Sequence, residues 1–235
     1  PFSLIPAISG SLNPALISRA ILPLVRRLHA ESPFDLVDAQ FFYPDGPAAA
    51  RIAHALRLPF SIKARGADIS YWGQQPSPRR QMLAAASEAA GLLAVSRALA
   101  DDMETLGIPD DRITVHYTGL DRARFRPHER AEARAAVAAR LKIPPGNGLP
   151  LLTSVGALIP RKGQAIAIRA LADIPDAVRA LVGTGQDEAE LHALSISLGL
   201  KDRVRFLGSV DHDLLPQLLS ASDAMVLPSL SEGLA

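Results

Sequence analysis

Short apolar runs alternate with helix-period stretches along most of this chain. Leu36-Val37-Asp38-Ala39, Pro59 to Ala64, Leu92 to Val95 and Arg112 to His116 each read as a strand. Between them, Asp45-Gly46-Pro47 opens a helix with proline near its first position. Ala49, Ile52, Ala53 and Leu56 give that helix an apolar face at i, i+3, i+4 and i+7. Met82 to Ala90 reads as helical. Ser96 caps a further helix carrying Leu99, Met103 and Leu106, and Gly107 stops it.

The alternation breaks between Thr118 and Pro145. A turn (Thr118-Gly119-Leu120-Asp121) leads into an arginine-dotted stretch, an Ala-rich helix from Glu129 to Leu141, and the loop Pro144-Pro145-Gly146-Asn147-Gly148. The pattern then restarts: strand Leu151–Val155, helix Gln164–Ala172, strand Ala180–Val182, and a helix marked by Leu191, Leu194 and Leu198 and ended by Gly199. Strand Val204–Leu207 follows, then a helix capped by Asp211 and carrying Leu214, Leu215, Leu218 and Leu219. The last apolar run, Asp223 to Pro228, reads as a buried strand. Two consecutive βα series with short loops predict the α/β class, as two Rossmann-like parallel-sheet units over residues 1–125 and 126–235.

Composition narrows the picture. Hydrophobic residues make up 48% of the chain and charged residues 21%, which favours a packed core over disorder. The net charge of +1 leaves no basic excess for a polyanion, so nucleic acid is not an expected partner. The absence of cysteine excludes disulfides and thiolate metal sites. The six histidines show no metal-ligand spacing, and no metal is expected. There is no Gly-x-Ser-x-Gly elbow, complete Walker A loop or HExxH. No apolar run reaches the ~20 residues that span a bilayer. The chain starts without Met and stops where a loop-to-helix turn would be completing, so it reads as a piece of a longer protein.

The candidate chemistry collects at strand ends. Gly156, Gly183 and Gly208 close three successive strands of the second series, and Glu232 and Gly233 follow the fourth. In open α/β sheets, ligands bind outside the carboxyl ends of strands. Glycine there lets a backbone approach a ligand, and it equally fills any tight turn; both readings stand. Gly183-Thr184-Gly185 starts a dinucleotide fingerprint whose third glycine is replaced by Glu188. What remains is a loop whose amides suit an anion at a helix start. Arg161-Lys162-Gly163 brings two cations to the sheet mouth, which suits a phosphate or a solvated surface pair. Glu232 suits sugar hydroxyls or a helix amino terminus. Arg65-Gly66-Ala67-Asp68 ends a strand of the first series, as a site facing a cleft or as a surface Arg–Asp pair.

Taken in order, these segments resemble a known family. Ser154-Val155-Gly156-Ala157-Leu158-Ile159-Pro160-Arg161-Lys162-Gly163, Leu181-Val182-Gly183-Thr184-Gly185, Val204 to Val210, and Val226 to Gly233 look like the donor half of retaining glycosyltransferases of family 4, with the GT-B architecture. Tyr43-Pro44-Asp45-Gly46, Lys63 to Asp68, Ala94-Val95-Ser96, and Thr118-Gly119-Leu120-Asp121 with Arg124-Phe125-Arg126-Pro127 look like its acceptor side and crossover. The resemblance implies two Rossmann-like domains facing a cleft, both incomplete in this chain, and a nucleotide-sugar donor (UDP-, GDP- or ADP-linked) bound as substrate, with no cofactor and no metal. It implies that Lys162 neutralises the donor diphosphate. It implies that Glu232, first acid of a Glu-x7-Glu motif, contacts the transferred sugar. The amides of Gly233 and Leu234 would lie near that sugar. The loops at Gly156, Gly183, Gly185, Gly208 and Val210 would border the nucleotide, and Arg65, Gly66 and Asp68 the acceptor side. A role in polysaccharide or glycoconjugate synthesis follows, in the cytoplasm, with peripheral contact at the inner face of the membrane left open.

The chain departs from the pattern at named places. The family often has Arg where Ala157 stands, and Arg161 is the candidate to compensate. It often has His where Arg65 stands. The second Glu of the motif would fall at 240, and the glycine-rich first loop is absent. The 235 residues alone are therefore expected to be inactive. The alternatives are a GT-B-like sugar-nucleotide epimerase and a non-catalytic two-domain ligand binder.

Overall fold

The computed structural model describes residues 10–141 and 149–233. In chain order the elements are α1 (Asn13–Glu31), β1 (Val37–Ala39), α2 (Asp45–Leu56), β2 (Phe60–Ala64), α3 (Ala67–Ser70), α4 (Pro76–Glu88), β3 (Gly91–Ala94), α5 (Arg97–Thr105) and β4 (Ile113–Val115). Then come α6 (Arg130–Leu141), β5 (Leu151–Val155), α7 (Gln164–Leu171), β6 (Val178–Val182), α8 (Glu188–Ser197), β7 (Val204–Gly208), α9 (Leu215–Ala221) and β8 (Ala224–Met225). The chain divides into two compact units. One holds residues 1–118 with 232–235, the other residues 119–231. The division at Thr118/Gly119 falls where the alternation breaks, a few residues before the boundary expected at residue 125.

The first unit is a parallel sheet in the order β1-β2-β3-β4. Every residue of β2 is buried, as a strand covered on both faces requires. Phe60, Ile62 and Ala64 pack with Ala53, Met82, Leu92, Leu99 and Met103 into one core. Ser96 caps α5 as its sequence position predicts: its Oγ accepts from the amide of Leu99 at 3.2 Å.

The second unit is a parallel sheet in the order β7-β6-β5-β8. Its two faces are read directly from β6. Val178, Ala180 and Val182 point into a core with Leu218 and Ala221 of α9 and Ala133 and Val137 of α6. Leu181 points the other way, into a core with Ile168 and Leu171 of α7 and Leu191 of α8. That is the period-2 alternation of a strand. The chain steps outward from β5 through β6 to β7, then returns to the opposite side of β5 as β8. The switch in direction lies between β5 and β8.

Three readings of the sequence need correction. The run from Asp223 to Pro228 is not a buried strand: β8 spans two residues, pairs only with β5, and leaves Met225 54% exposed. Apolarity marked the run for burial, but among the described residues β8 is last in the strand order and meets a neighbour on one side only. Asp211 is not the cap of α9. Its Oδ1 accepts from the amide of Asp213 at 2.8 Å in a turn ahead of the helix, and the cap position belongs to Leu214. α1 and α3 were not marked at all, and α4 begins at Pro76, six residues before the first marked position. The Pro144–Gly148 loop lies outside the described residues.

Candidate active site

The site is built on the switch between β5 and β8, where an open parallel sheet leaves a crevice at its carboxyl edge. β5 ends at Val155 with Gly156 next, and a short turn, Pro160–Lys162, follows before α7. A Cβ on Gly156 would lie 3.7 Å from Lys162 Cε, so the lysine stem runs over the strand end. Lys162 is half-buried there. Gly163 has φ 65, and a Cβ on it would overlap the carbonyl oxygen of Pro228. The turn carrying Lys162 thus lies directly against the segment that follows β8.

Hydrogen bonds fasten the same two segments. Leu230 donates its amide to the Arg161 carbonyl at 2.9 Å. Arg161 Nη1 donates to the Ser231 carbonyl at 3.0 Å. At the root of the segment, the Val226 amide donates to the Thr153 carbonyl at 2.8 Å. The Val226 carbonyl accepts from Ser154 Oγ. Ser154 Oγ in turn accepts from Arg179 Nη2 at 2.5 Å. Arg179 is 1% exposed, its Nε has no partner among the described residues, and burial holds its pKa down at about 10.

The glycine-rich loop after β6 serves packing. A Cβ on Gly183 would overlap the Gly156 carbonyl oxygen, and one on Gly185 the Leu158 carbonyl oxygen. The Gly183 amide donates to the Gly208 carbonyl at 2.8 Å, and Leu158 donates to the Thr184 carbonyl at 3.0 Å. The Gly183 amide is therefore engaged within the protein. The first turn of α8 carries Glu188 and Glu190, which oppose an anion at that helix start. Gly208 has φ 61, and nothing lies within 4 Å of a Cβ built on it. Val210 packs half-buried against the core beneath.

In the first unit, Asp68 is 0% exposed. Its carboxylate accepts from the backbone amides of Phe42 at 2.7 Å, Gly66 at 2.7 Å and Arg65 at 3.1 Å. The Arg65–Asp68 side-chain pair that the sequence allowed is not what forms. The carboxylate takes the Arg65 amide, while the exposed guanidinium donates to Gln40 Oε1 at 3.1 Å. Burial raises the Asp68 pKa, and its amide donors offset part of that rise. Gly233 belongs with this unit: a Cβ on it would overlap the Arg65 carbonyl oxygen, and its own carbonyl accepts from Ser96 Oγ at 2.6 Å. Glu232 is half-buried beside it in the chain, and Leu234 lies outside the described residues.

Lys162, Arg161, Gly156, Gly183, Gly185 and Gly208 thus fall on the edge of one sheet, and Arg65, Gly66, Asp68 and Gly233 on the other unit. No local pattern in the sequence shows the bonds that Ser96, Ser154 and Arg179 make. Each acts through a partner remote in sequence, and the bond from Ser96 to Gly233 comes in addition to its helix cap. Among the described residues, no three His, Cys, Asp or Glu are grouped to hold a metal. No helix among them is long and apolar enough to cross a membrane.

Comparison with known proteins bears on this arrangement. The family model described as Glycosyltransferase Family 4 matches residues 5–124, and that described as Glycosyl transferases group 1 matches residues 139–235. The chain is 35% identical over 113 residues to the 2-deoxystreptamine glucosyltransferase of Streptomyces kanamyceticus, covering 45% of this chain and 29% of that protein. It is 29% identical over 234 residues to the putative teichuronic acid biosynthesis glycosyltransferase TuaC of Bacillus subtilis (strain 168), covering 97% of this chain and 56% of that protein. The fold is similar to that of Anabaena Alr3699/HepE solved in complex with UDP and glucose, at a TM-score of 0.76 and 24% identity, over 97% of this chain and 59% of that one. The chain thus spans between 29% and 59% of the length of these relatives.

Proposed function

Because the chain belongs to glycosyltransferase family 4, we propose that it carries the donor-binding unit and part of the acceptor-side unit of a retaining glycosyltransferase. The reaction moves a sugar from a nucleotide-sugar to a glycan, lipid or small-molecule acceptor. The observation that carries this reading is the Lys162 stem laid across the end of β5, beside the β5/β8 switch. A lysine ammonium is a compact point charge. Set at a sheet mouth, it meets the negative charge that builds on a diphosphate leaving group as the glycosidic bond breaks. A cation fixed there acts on the transition state more than on the bound donor. Glu232 follows the β8 segment, and in this reading it holds hydroxyls of the transferred sugar.

The reading gives the charge work to Lys162, so transfer should persist in EDTA; loss of transfer restored by a divalent cation would refute that part. UDP, GDP, ADP and NADH are to be titrated by calorimetry against the full-length protein and its Lys162→Ala variant. UDP comes first, because the HepE structure contains it. One nucleoside diphosphate should bind, and the variant should bind it about tenfold or more weakly, the size expected for losing a charge-assisted contact. Binding of NADH alone, or diphosphate binding indifferent to Lys162, would overturn the reading.

A further inference from the structure

We infer that Arg161 is a positioning residue, which latches the β8-to-Glu232 segment to the Lys162 turn, and does not itself serve as a second diphosphate cation. This rests on the donor-site reading above. The segment from Val226 to Ser231 is held at both ends. At its root, a guanidinium can only donate, so Arg179 fixes the Ser154 hydroxyl as acceptor on one side. The hydroxyl proton is thereby left for the Val226 carbonyl. A buried cation is costly, and among the described residues the visible work of Arg179 is to orient that hydroxyl.

At its tip, Arg161 makes two bonds. Its carbonyl accepts from Leu230, and its guanidinium reaches the Ser231 carbonyl. Gly163, without a Cβ, lets the turn close onto Pro228. Arg161 and Lys162 are consecutive, so the turn that places the ammonium also places the peptide leading into Glu232. Ala157 stands where an arginine was expected, but Arg161 is not simply its replacement: one arm of its guanidinium is already committed to Ser231.

The test uses full-length protein with Arg161→Met and Lys162→Ala, Arg161→Lys as the conservative rescue, and three readouts. Arg161 is exposed, so the methionine variant should fold. Amide hydrogen exchange across residues 227–231 should accelerate at least tenfold in Arg161→Met and return toward the parent in Arg161→Lys. Turnover should fall about tenfold or more in Arg161→Met, while the dissociation constant of the nucleoside diphosphate changes less than threefold. Lys162→Ala should weaken that binding. Unchanged exchange in Arg161→Met removes the latch whatever the enzyme does. Diphosphate binding weakened as much as in Lys162→Ala makes Arg161 a donor contact and overturns the inference while the donor site stands. Normal exchange kinetics in Lys162→Ala with no diphosphate binding in any form fells the donor reading, and the inference with it.

Discussion

Asp68 shows how a residue picked out for its chemistry can be at work in the scaffold. Its carboxylate has no exposed surface and gathers three backbone amides from the exits of β1 and β2. Asp68→Asn replaces one acceptor oxygen with a donor that faces those amides. The expected cost is about 3 kcal/mol in denaturant unfolding, the scale for unsatisfied buried donors that had met a charge. The pH dependence has a definite sign. Burial raises Asp68 above its ordinary 3.8, and it raises Asp45 as well, with the charge of Asp68 adding to the second rise. The folded chain then keeps protons that the unfolded chain has released. The stability this provides is full below about 3.8 and is lost as pH climbs through the higher folded values. Asp68→Asn should flatten that loss, and a slope equal to the parent's would count against the assignment. Gly183→Ala acts on another residue-scale constraint: φ is 131 and the added methyl meets the Gly156 carbonyl. A loss of about 2 kcal/mol or more is expected by denaturant unfolding, from backbone strain and overlap together.

At the scale of elements, Asp223 joins α6 to the sheet. Its carboxylate accepts from Arg130 at 3.1 Å, Arg134 at 2.6 Å and the Leu151 amide at 2.7 Å. Asp223→Ala should cost about 2 kcal/mol, since bonds to a charged acceptor contribute about 1.5–3 kcal/mol and this one is partly exposed. Helical signal lost from α6 before the β6 amides exchange would be its signature; simultaneous loss would speak against a docking role. The alternation of strands and helices was legible because each strand is a short apolar run and each following helix shows one face. α1 was not, for a physical reason. Ile17, Ile21, Leu24 and Leu28 share one face at i, i+4, i+7 and i+11, but Pro23 sits inside the helix, where proline usually ends one, and so masks that period. β8 failed differently, because an apolar run records a tendency to be buried but not the number of strands available to bury it. In the site, Lys162 is near Gly156 because only the short stretch Ala157 to Arg161 separates them. The bond from Arg161 to Ser231 spans a separation of 70 residues, which no local pattern encodes.

At the scale of the whole molecule, the cores among the described residues are separate: one in the first unit, and two in the other on opposite faces of its sheet. Separate cores permit separate transitions, so a single two-state melt is not the default. Calorimetric unfolding should therefore resolve two transitions, with Asp68→Asn lowering one and Gly183→Ala the other. The proposed diphosphate site, Lys162 at the β5/β8 switch, is built on the second unit. A nucleoside diphosphate should then raise only the transition that Gly183→Ala lowers. At a free concentration of about 100 times its dissociation constant, the gain is about 2.7 kcal/mol, because a ligand bound only by the folded form adds RT ln(1 + [L]/Kd). Asp68→Asn should leave that ligand-dependent gain intact, its effect being confined to the core it organises. If the diphosphate instead raised the transition governed by Asp68, the binding surface would have to be built on the first unit, and Lys162 would lose the role given to it.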